Sequence, residues 1–159
     1  KQTKGNWYGT MAPDAFNNTI QEGDVIVIDC STATDVGFSG SENTFNWINR
    51  GARGVVTNGG ARDTDEIIKQ KLPVYNQYIG RGIRPGRIVL DSFNIPVNVG
   101  GVLVRPSDII VADGDGVVCV PLEKAAEVAK IAREIQDDDK ASRRKHYEKA
   151  GLALDFTVL

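Results

Sequence analysis

The chain has 159 residues, the size of about one domain on the usual range of ~100–200 residues each. Its 41% hydrophobic and 25% charged residues are the balance of a packed globular protein, which excludes disordered, collagen-like and coiled-coil classes. A net charge of −2 excludes a polybasic surface for nucleic acid or anionic lipid, and no apolar run reaches the ~18 residues of a transmembrane helix.

Residues 1–13 are polar, with Trp7 and Tyr8, and predict an arm or a partial first strand. A short helical stretch is predicted over about 12–19. Val25-Ile26-Val27-Ile28-Asp29-Cys30 follows a turn and is β-branched and apolar, so it predicts a buried strand. Residues 31–40 are rich in Ser, Thr and Gly and read as a loop. Ser41 is placed to cap a helix that ends near Arg50-Gly51. Residues 54–58 predict a second buried strand, 59–62 a tight turn, 63–70 a helix and 73–75 a third strand. This alternation implies parallel strands with crossover helices, the α/β class.

Beyond Gly80 the pattern changes. Short strands are predicted at 87–90, Val97–Val99, Val102–Val104, Ile109–Ala112 and Val117–Val120, separated by turns such as Gly100-Gly101 and Asp113-Gly114-Asp115-Gly116. They suggest antiparallel pairs or a small barrel-like sheet. The Asp113 turn lacks the ligand ladder of a calcium loop and reads as a hairpin. Pro121 opens a long helix over 121–149, and the apolar tail 151–159 is expected to dock as an extended segment. The whole chain, 1–159, is read as a single domain.

Cys30 and Cys119 sit in apolar runs and read as buried free thiols of a reducing, cytoplasmic compartment. His146 is the one histidine, so neither a histidine triad nor a multi-histidine metal site can be built from one chain. Any metal would be held mainly by oxygen ligands, which favours Mg²⁺, Mn²⁺ or Ca²⁺.

Two segments are candidates for chemistry. In Gly59-Gly60-Ala61-Arg62-Asp63-Thr64-Asp65-Glu66 a strand ends and Arg and Asp emerge at the start of a helix, where open α/β sheets collect ligands. Arg62 can fork onto a carboxylate and Asp63 can hold a cation. Equally, Asp63 with Glu66 has capping-box spacing, and Arg62 can pair with Asp65 or Glu66. Gly37–Asn43 is a loop running into a helix N-terminus, where Gly40, Ser41, Glu42 and Asn43 offer backbone N–H groups to an anion; Ser41 as a simple cap is the structural alternative. If the two loops follow neighbouring strands, they face one pocket.

These residues resemble a known family. Arg53-Gly54-Val55-Val56-Thr57-Asn58-Gly59-Gly60-Ala61-Arg62-Asp63, Gly100–Asp113 and Asp115–Pro121 are similar to ordered segments of the RraA-like family. That family includes 4-hydroxy-4-methyl-2-oxoglutarate aldolases, also active on 4-carboxy-4-hydroxy-2-oxoadipate, and a regulator of ribonuclease E. The resemblance implies a swivelling β/β/α three-layer domain, with the family's N-terminal region missing from this chain. It implies a homotrimer or homohexamer with sites between protomers, and a divalent metal, Mg²⁺ or Mn²⁺. Carried over by position, Asp63 binds the metal, Arg62 binds a 2-oxo acid, and Gly40, Ser41, Glu42 and Asn43 cradle its carboxylate.

The sequence departs from the family at two places. The aldolases carry an acid, then twenty intervening residues, then Arg-Asp; the position of the acid here is Ser41, with Glu42 one residue on. Asn58 stands where the family often has Asp. The expected function is therefore a divalent-metal-dependent carbon–carbon lyase acting on a 2-oxo acid, by aldol cleavage or by decarboxylation of the oxaloacetate type, through a pyruvate enolate. Arg62, Asp63 and Glu42 are its candidate catalytic residues. A non-catalytic regulator that binds a partner enzyme, or a diverged enolate-forming enzyme, is the alternative.

Overall fold

The computed structural model describes residue 7 and residues 15–30 and 32–159. The predicted arm over 1–13 lies outside the described residues apart from Trp7, as does the first part of the helical stretch. That stretch is a short 3-10 helix, Ala15–Thr19. There follow β1 (Val25–Ile28), β2 (Gly37–Ser39), α1 (Ser41–Asn49), β3 (Gly54–Ala61), α2 (Thr64–Gln70) and β4 (Val74–Ile79). Then come β5 (Val97–Val99), β6 (Val102–Val104), β7 (Ile109–Ala112), β8 (Val117–Val120), a 3-10 turn and α3 (Ala125–Ala150). The chain divides into two compact units, Lys1–Cys119 and Val120–Leu159.

In the first unit β3 is the centre of a parallel four-stranded sheet, as the alternating pattern predicts. β1 lies along the first half of one edge, from Val25 opposite Gly54 to Ile28 opposite Thr57. β2 takes the second half of that edge, with Gly37 opposite Gly60 and Ser39 opposite Ala61. β4 runs along the other edge, from Val74 opposite Val55 to Ile79 opposite Ala61.

Several local expectations are corrected. The stretch 31–40 contains a strand, β2. Gly59-Gly60-Ala61 is the last part of β3, not a tight turn. Neighbouring backbone closes in on this end of the strand, and a Cβ on Gly60 would lie 2.6 Å from the Val36 carbonyl oxygen. The glycine here serves close backbone approach, beside a register slip between Thr57 and Gly60. Residues 87–90 form no strand. The N–H groups of Arg87 and Ile88 both donate to the Arg84 carbonyl, at 3.0 and 3.1 Å, and close a turn. Ile88 and Leu90 then pack half-buried on the core.

That core gathers Phe16, Cys30, Phe38, Trp47, Ala52, Val55 and Leu72. Trp47 is fully buried on α1, with the Phe16 ring 5.8 Å away and its indole N–H donating to Asn17 Oδ1 at 2.9 Å. Trp47→Ala is expected to destabilise the protein by about 3–5 kcal/mol, read from urea unfolding midpoints.

β5 and β6 form an antiparallel hairpin. Gly100 and Gly101 turn it with φ of +62° and +81°, the pair of positive values that a type I′ turn needs. β7 and β8 make a separate two-stranded sheet, and the Asp113 N–H donates to the Gly116 carbonyl at 3.0 Å, the expected hairpin turn. Among the described residues these two hairpins stay separate, so no barrel-like sheet forms.

In the second unit the tail folds back on α3. Arg143 Nη1 donates to the Thr157 carbonyl at 2.8 Å and Lys140 Nζ to that of Leu159 at 2.5 Å. It ends in a turn held by Asp155, whose Oδ1 accepts from the Thr157 N–H and hydroxyl, and so is not wholly extended. α3 buries none of its residues, and Val128, Ile131 and Ile135 lie exposed at helical spacing. Among the described residues no helix is long and apolar enough to cross a membrane.

Candidate functional site

β3 delivers Arg62 and Asp63 beside the start of α1. The two are joined through the end of the sheet, where the Arg62 N–H donates to the Ser39 carbonyl at 2.8 Å. Arg62 Nη1 also donates to the Gly37 carbonyl. The guanidinium is thus steered along β2, and its Nε lies 3.7 Å from Asp63 Oδ2. Neither Asp65 nor Glu66 is its partner.

Asp63 is the cap residue of α2, with φ of +56° and ψ of +41°. Asp is among the few residues that tolerate this left-handed region. It makes no side-chain cap on its own helix, which corrects the capping-box expectation. Its carboxylate turns to α1 instead. Ser41 N–H donates to Asp63 Oδ2 at 3.1 Å, and the Ser41 hydroxyl lies 3.4 Å from the same oxygen. Ser41 is therefore the first residue of α1 and not its cap. Gly40 is the cap and has no side chain to offer. A carboxylate borrowed from 22 positions away sits at this helix N-terminus, where the unpaired N–H groups and the dipole favour negative charge.

The two candidate segments thus meet. Among the described residues Asp63 Oδ1 accepts no hydrogen bond, so one carboxylate oxygen is anchored and the other is open. Asp63 is partly exposed, with 41% of its side chain accessible. Glu42 is exposed on the first turn of α1. Asn43 is turned inward, where its Oδ1 accepts from Arg84 Nη2 at 3.5 Å. Its side chain belongs to the support of the helix.

Gly40 explains the closeness. A Cβ there would lie 2.8 Å from Asp63 Oδ2 and 2.9 Å from Arg62 Cζ, while the Gly40 φ of −120° is open to any residue. Gly40→Ala is therefore expected to displace the Arg–Asp pair by contact, not by backbone strain. The displacement is expected to shift the Ser41 amide resonance, whose hydrogen bond to Asp63 it disturbs, checked by NMR on a folded variant.

Three supporting residues lacked a sequence signal. Arg84 is buried, with its guanidinium 4.9 Å from the Phe38 ring centre and 5.8 Å from that of Trp7. Thr44 and Gln70 join α1 to α2, Thr44 Oγ1 donating to Gln70 Oε1 at 2.6 Å. Each pairing spans tens of residues, beyond any local motif.

Asn58 lies away from this site. It donates to Asp29 Oδ1 at 2.8 Å and to the Asn98 carbonyl at 3.1 Å, and accepts from the Cys30 N–H at 2.7 Å. An Asp in its place would face the Asp29 carboxylate, so the amide suits its neighbours. Burial, and then the nearby Asp29 charge, push the Cys30 thiol up. Burial and Asp108 do the same for Cys119, which is only half-buried. Both thiols are free and suited to packing, not to nucleophilic work.

Among the described residues no group of three or more His, Cys, Asp and Glu side chains comes together. A hard cation such as Mg²⁺ commonly takes one or two protein carboxylates and keeps water and substrate oxygens as its other ligands. The open Asp63 oxygen fits that mode.

The RraA-like family profile, described as Aldolase/RraA, matches residues 7–119. The chain belongs to the RraA-like family. The match covers the first compact unit, in which Arg62, Asp63 and α1 lie. The chain is 35% identical over 97 residues to an uncharacterized protein of Methanocaldococcus jannaschii, covering 60% of this chain and 46% of that one. It is 33% identical over 129 residues to a Halalkalibacterium halodurans protein named "Putative 4-hydroxy-4-methyl-2-oxoglutarate aldolase", covering 77% and 58%. The chain thus spans about half the length of these relatives. The crystal structure of Streptomyces coelicolor RraAS2, titled an unusual member of the RNase ES inhibitor RraA protein family, matches with a TM-score of 0.75 at 27% identity. That match covers 90% of this chain and 71% of RraAS2. The α/β fold expected from the sequence is thus the RraA-like fold.

Proposed function

We propose that the chain is a divalent-metal-dependent lyase that cleaves or decarboxylates a 2-oxo acid through a pyruvate enolate. The observation that carries this reading is the Asp63 carboxylate, whose Oδ2 is fixed by Ser41 and lies near Arg62 while its Oδ1 is open. Asp63 is the residue that would hold Mg²⁺ or Mn²⁺. The metal would supply Lewis acidity at the keto oxygen.

The chain's own groups do the rest. Arg62 presents its guanidinium to the substrate carboxylate and to the oxygen on which negative charge develops. The Ser41 N–H is committed to Asp63, which leaves the Glu42 N–H and the α1 dipole for the carboxylate. In decarboxylation of oxaloacetate, the C3–C4 bond breaks, CO₂ leaves and the electron pair passes into the enolate, which is then protonated at C3. Aldol cleavage needs one more event, removal of the C4 hydroxyl proton. Ser41 is no base for that step. Glu42, exposed one residue on, is the remaining candidate.

The reading is tested by pyruvate release over a panel of 2-oxo acids with and without Mg²⁺ or Mn²⁺. Metal-dependent release from oxaloacetate, with weaker cleavage of 4-hydroxy-2-oxo acids, is the expected pattern.

A second reading is a non-catalytic regulator that binds a partner enzyme such as a ribonuclease. The loss of the acid at Ser41 and the likeness to RraAS2 favour it. Absence of pyruvate release with every substrate and metal, together with binding to such a partner, would select it.

In either reading the working form is a homotrimer or homohexamer. The exposed Val128, Ile131 and Ile135 on α3 and the 84% exposed Phe156 support association. Light scattering at micromolar concentration is expected to give three or six times the chain mass, and a monomer would contradict it.

A further inference from the structure

The Ser41 peptide is held at both ends by one short segment. Its N–H donates to Asp63, the cap of α2. Its carbonyl accepts from Gln70 Nε2 at 2.9 Å, and Gln70 is the last residue of the same helix. Thr44, fully buried one turn along α1, completes the ring. Its Oγ1 lies 2.6 Å from Gln70 Oε1 and 3.1 Å from the Ser41 carbonyl. A hydroxyl has one hydrogen, and the shorter contact claims it. The Gln70 carboxamide is thereby oriented: its oxygen accepts from Thr44 and its NH₂ donates to Ser41. The flipped amide would set its oxygen against the Ser41 carbonyl oxygen, with no hydrogen between them.

We propose that Gln70 is a positioning residue for the Asp63 carboxylate, acting through the Ser41 peptide with Thr44 as its brace. The inference rests on the reading of Asp63 as the metal-holding residue. Gln70 lies at the far end of α2 from Asp63, so the helix acts as a short strut. Asp63 clasps the N–H side of the Ser41 residue and Gln70 its carbonyl side. With both clasps closed, Oδ2 stays on the N-terminus of α1 and Oδ1 stays open. With the Gln70 clasp broken, the first turn of α1 is free to draw away from Asp63. Its carboxylate then loses the partner that fixes its direction. Outer-shell groups that orient a metal-holding carboxylate are typically worth ~10–100-fold in metal affinity.

Gln70→Glu keeps the size and an acceptor for Thr44 but removes the NH₂ that serves Ser41. Thr44→Val keeps the shape and removes the hydroxyl, whereas Thr44→Ser retains it. The experiment compares these variants and Asp63→Asn on the full chain by two measurements. One is the amide resonance of Ser41 by NMR, which reports its hydrogen bond to residue 63 without any metal. The other is affinity for Mn²⁺ alone, from water-proton relaxation. Gln70→Glu and Thr44→Val are expected to shift the Ser41 resonance in the direction Asp63→Asn shifts it and to weaken Mn²⁺ binding ~10–100-fold. Thr44→Ser is expected to match wild type in both. A Ser41 resonance and an Mn²⁺ affinity unchanged in folded Gln70→Glu would overturn the positioning role while leaving Asp63 as the holder. Wild-type Mn²⁺ affinity in Asp63→Asn would instead overturn the reading of Asp63, and the metal role of Gln70 with it.

Discussion

Asp63→Asn is expected to abolish metal-dependent turnover in a protein that remains folded. Asparagine is the informative replacement because it too tolerates the left-handed backbone of this position, where φ is +56°. Its amide oxygen can still accept from the Ser41 N–H, so the N-terminus of α1 keeps a partner. What it lacks is the negative charge that a hard cation requires. If Asp63 served only as a borrowed cap, the change would cost at most ~0.5–2 kcal/mol and leave activity intact. Alanine is a poorer test, since at positive φ it adds a backbone penalty of roughly 1–2 kcal/mol to the lost hydrogen bond. Pyruvate release and thermal unfolding on the same sample separate the two roles. Turnover should vanish while the unfolding midpoint moves by a few degrees.

Ser41→Asp is expected to raise aldol cleavage more than decarboxylation. The Ser41 hydroxyl is 3.4 Å from Asp63 Oδ2, so a carboxylate at 41 stands at the edge of the proposed metal-holding site. It would supply a proton acceptor for the C4 hydroxyl, a contribution typically worth ~10²–10⁴-fold. Decarboxylation breaks the same bond without that proton transfer and gains little. Two carboxylates this close repel each other until a cation lies near them. The variant is therefore expected to melt below wild type without metal and to gain more from Mn²⁺ than wild type does. The ratio of the two activities, measured with saturating Mg²⁺, checks the prediction. Efficient aldol cleavage by wild type, lost in Glu42→Gln, would instead make Glu42 the base.

The parts of this molecule legible in the sequence are those written in local pattern. The apolar runs at 25–28 and 54–57 predict parallel strands because a strand covered on both faces is apolar throughout; β3 is buried there, whereas β1, on the edge, is half-buried and not buried as expected. Gly100-Gly101 predicts its hairpin because both turn positions need positive φ. The meeting of Gly40–Ser41 with Arg62–Asp63 was also legible, because helices that follow neighbouring parallel strands start at the same end of the sheet.

What escaped was set by tertiary contact. Gly59 and Gly60 look like a turn, yet they are the end of a strand, with the Cys30 side chain crowding Gly59 and neighbouring backbone crowding Gly60. The three-residue β2 has no periodicity to find and exists because the second half of one β3 edge is left open beyond β1. Ser41 has the composition of a cap, but Asp63 takes that duty from across the sheet end. Gln70 and Arg84 carry ordinary surface side chains. Only the packing of α2 on α1, and of Arg84 under Phe38, gives them a task.

Metal holding by Asp63 is put to the test by oxaloacetate turnover in wild type and Asp63→Asn, followed as pyruvate formed with Mg²⁺ and after chelation. It predicts pyruvate formation above the metal's own background for wild type with Mg²⁺, and background for the chelated enzyme and for folded Asp63→Asn. Pyruvate formed as fast by Asp63→Asn as by wild type, or no pyruvate from wild type with any divalent metal, would contradict it.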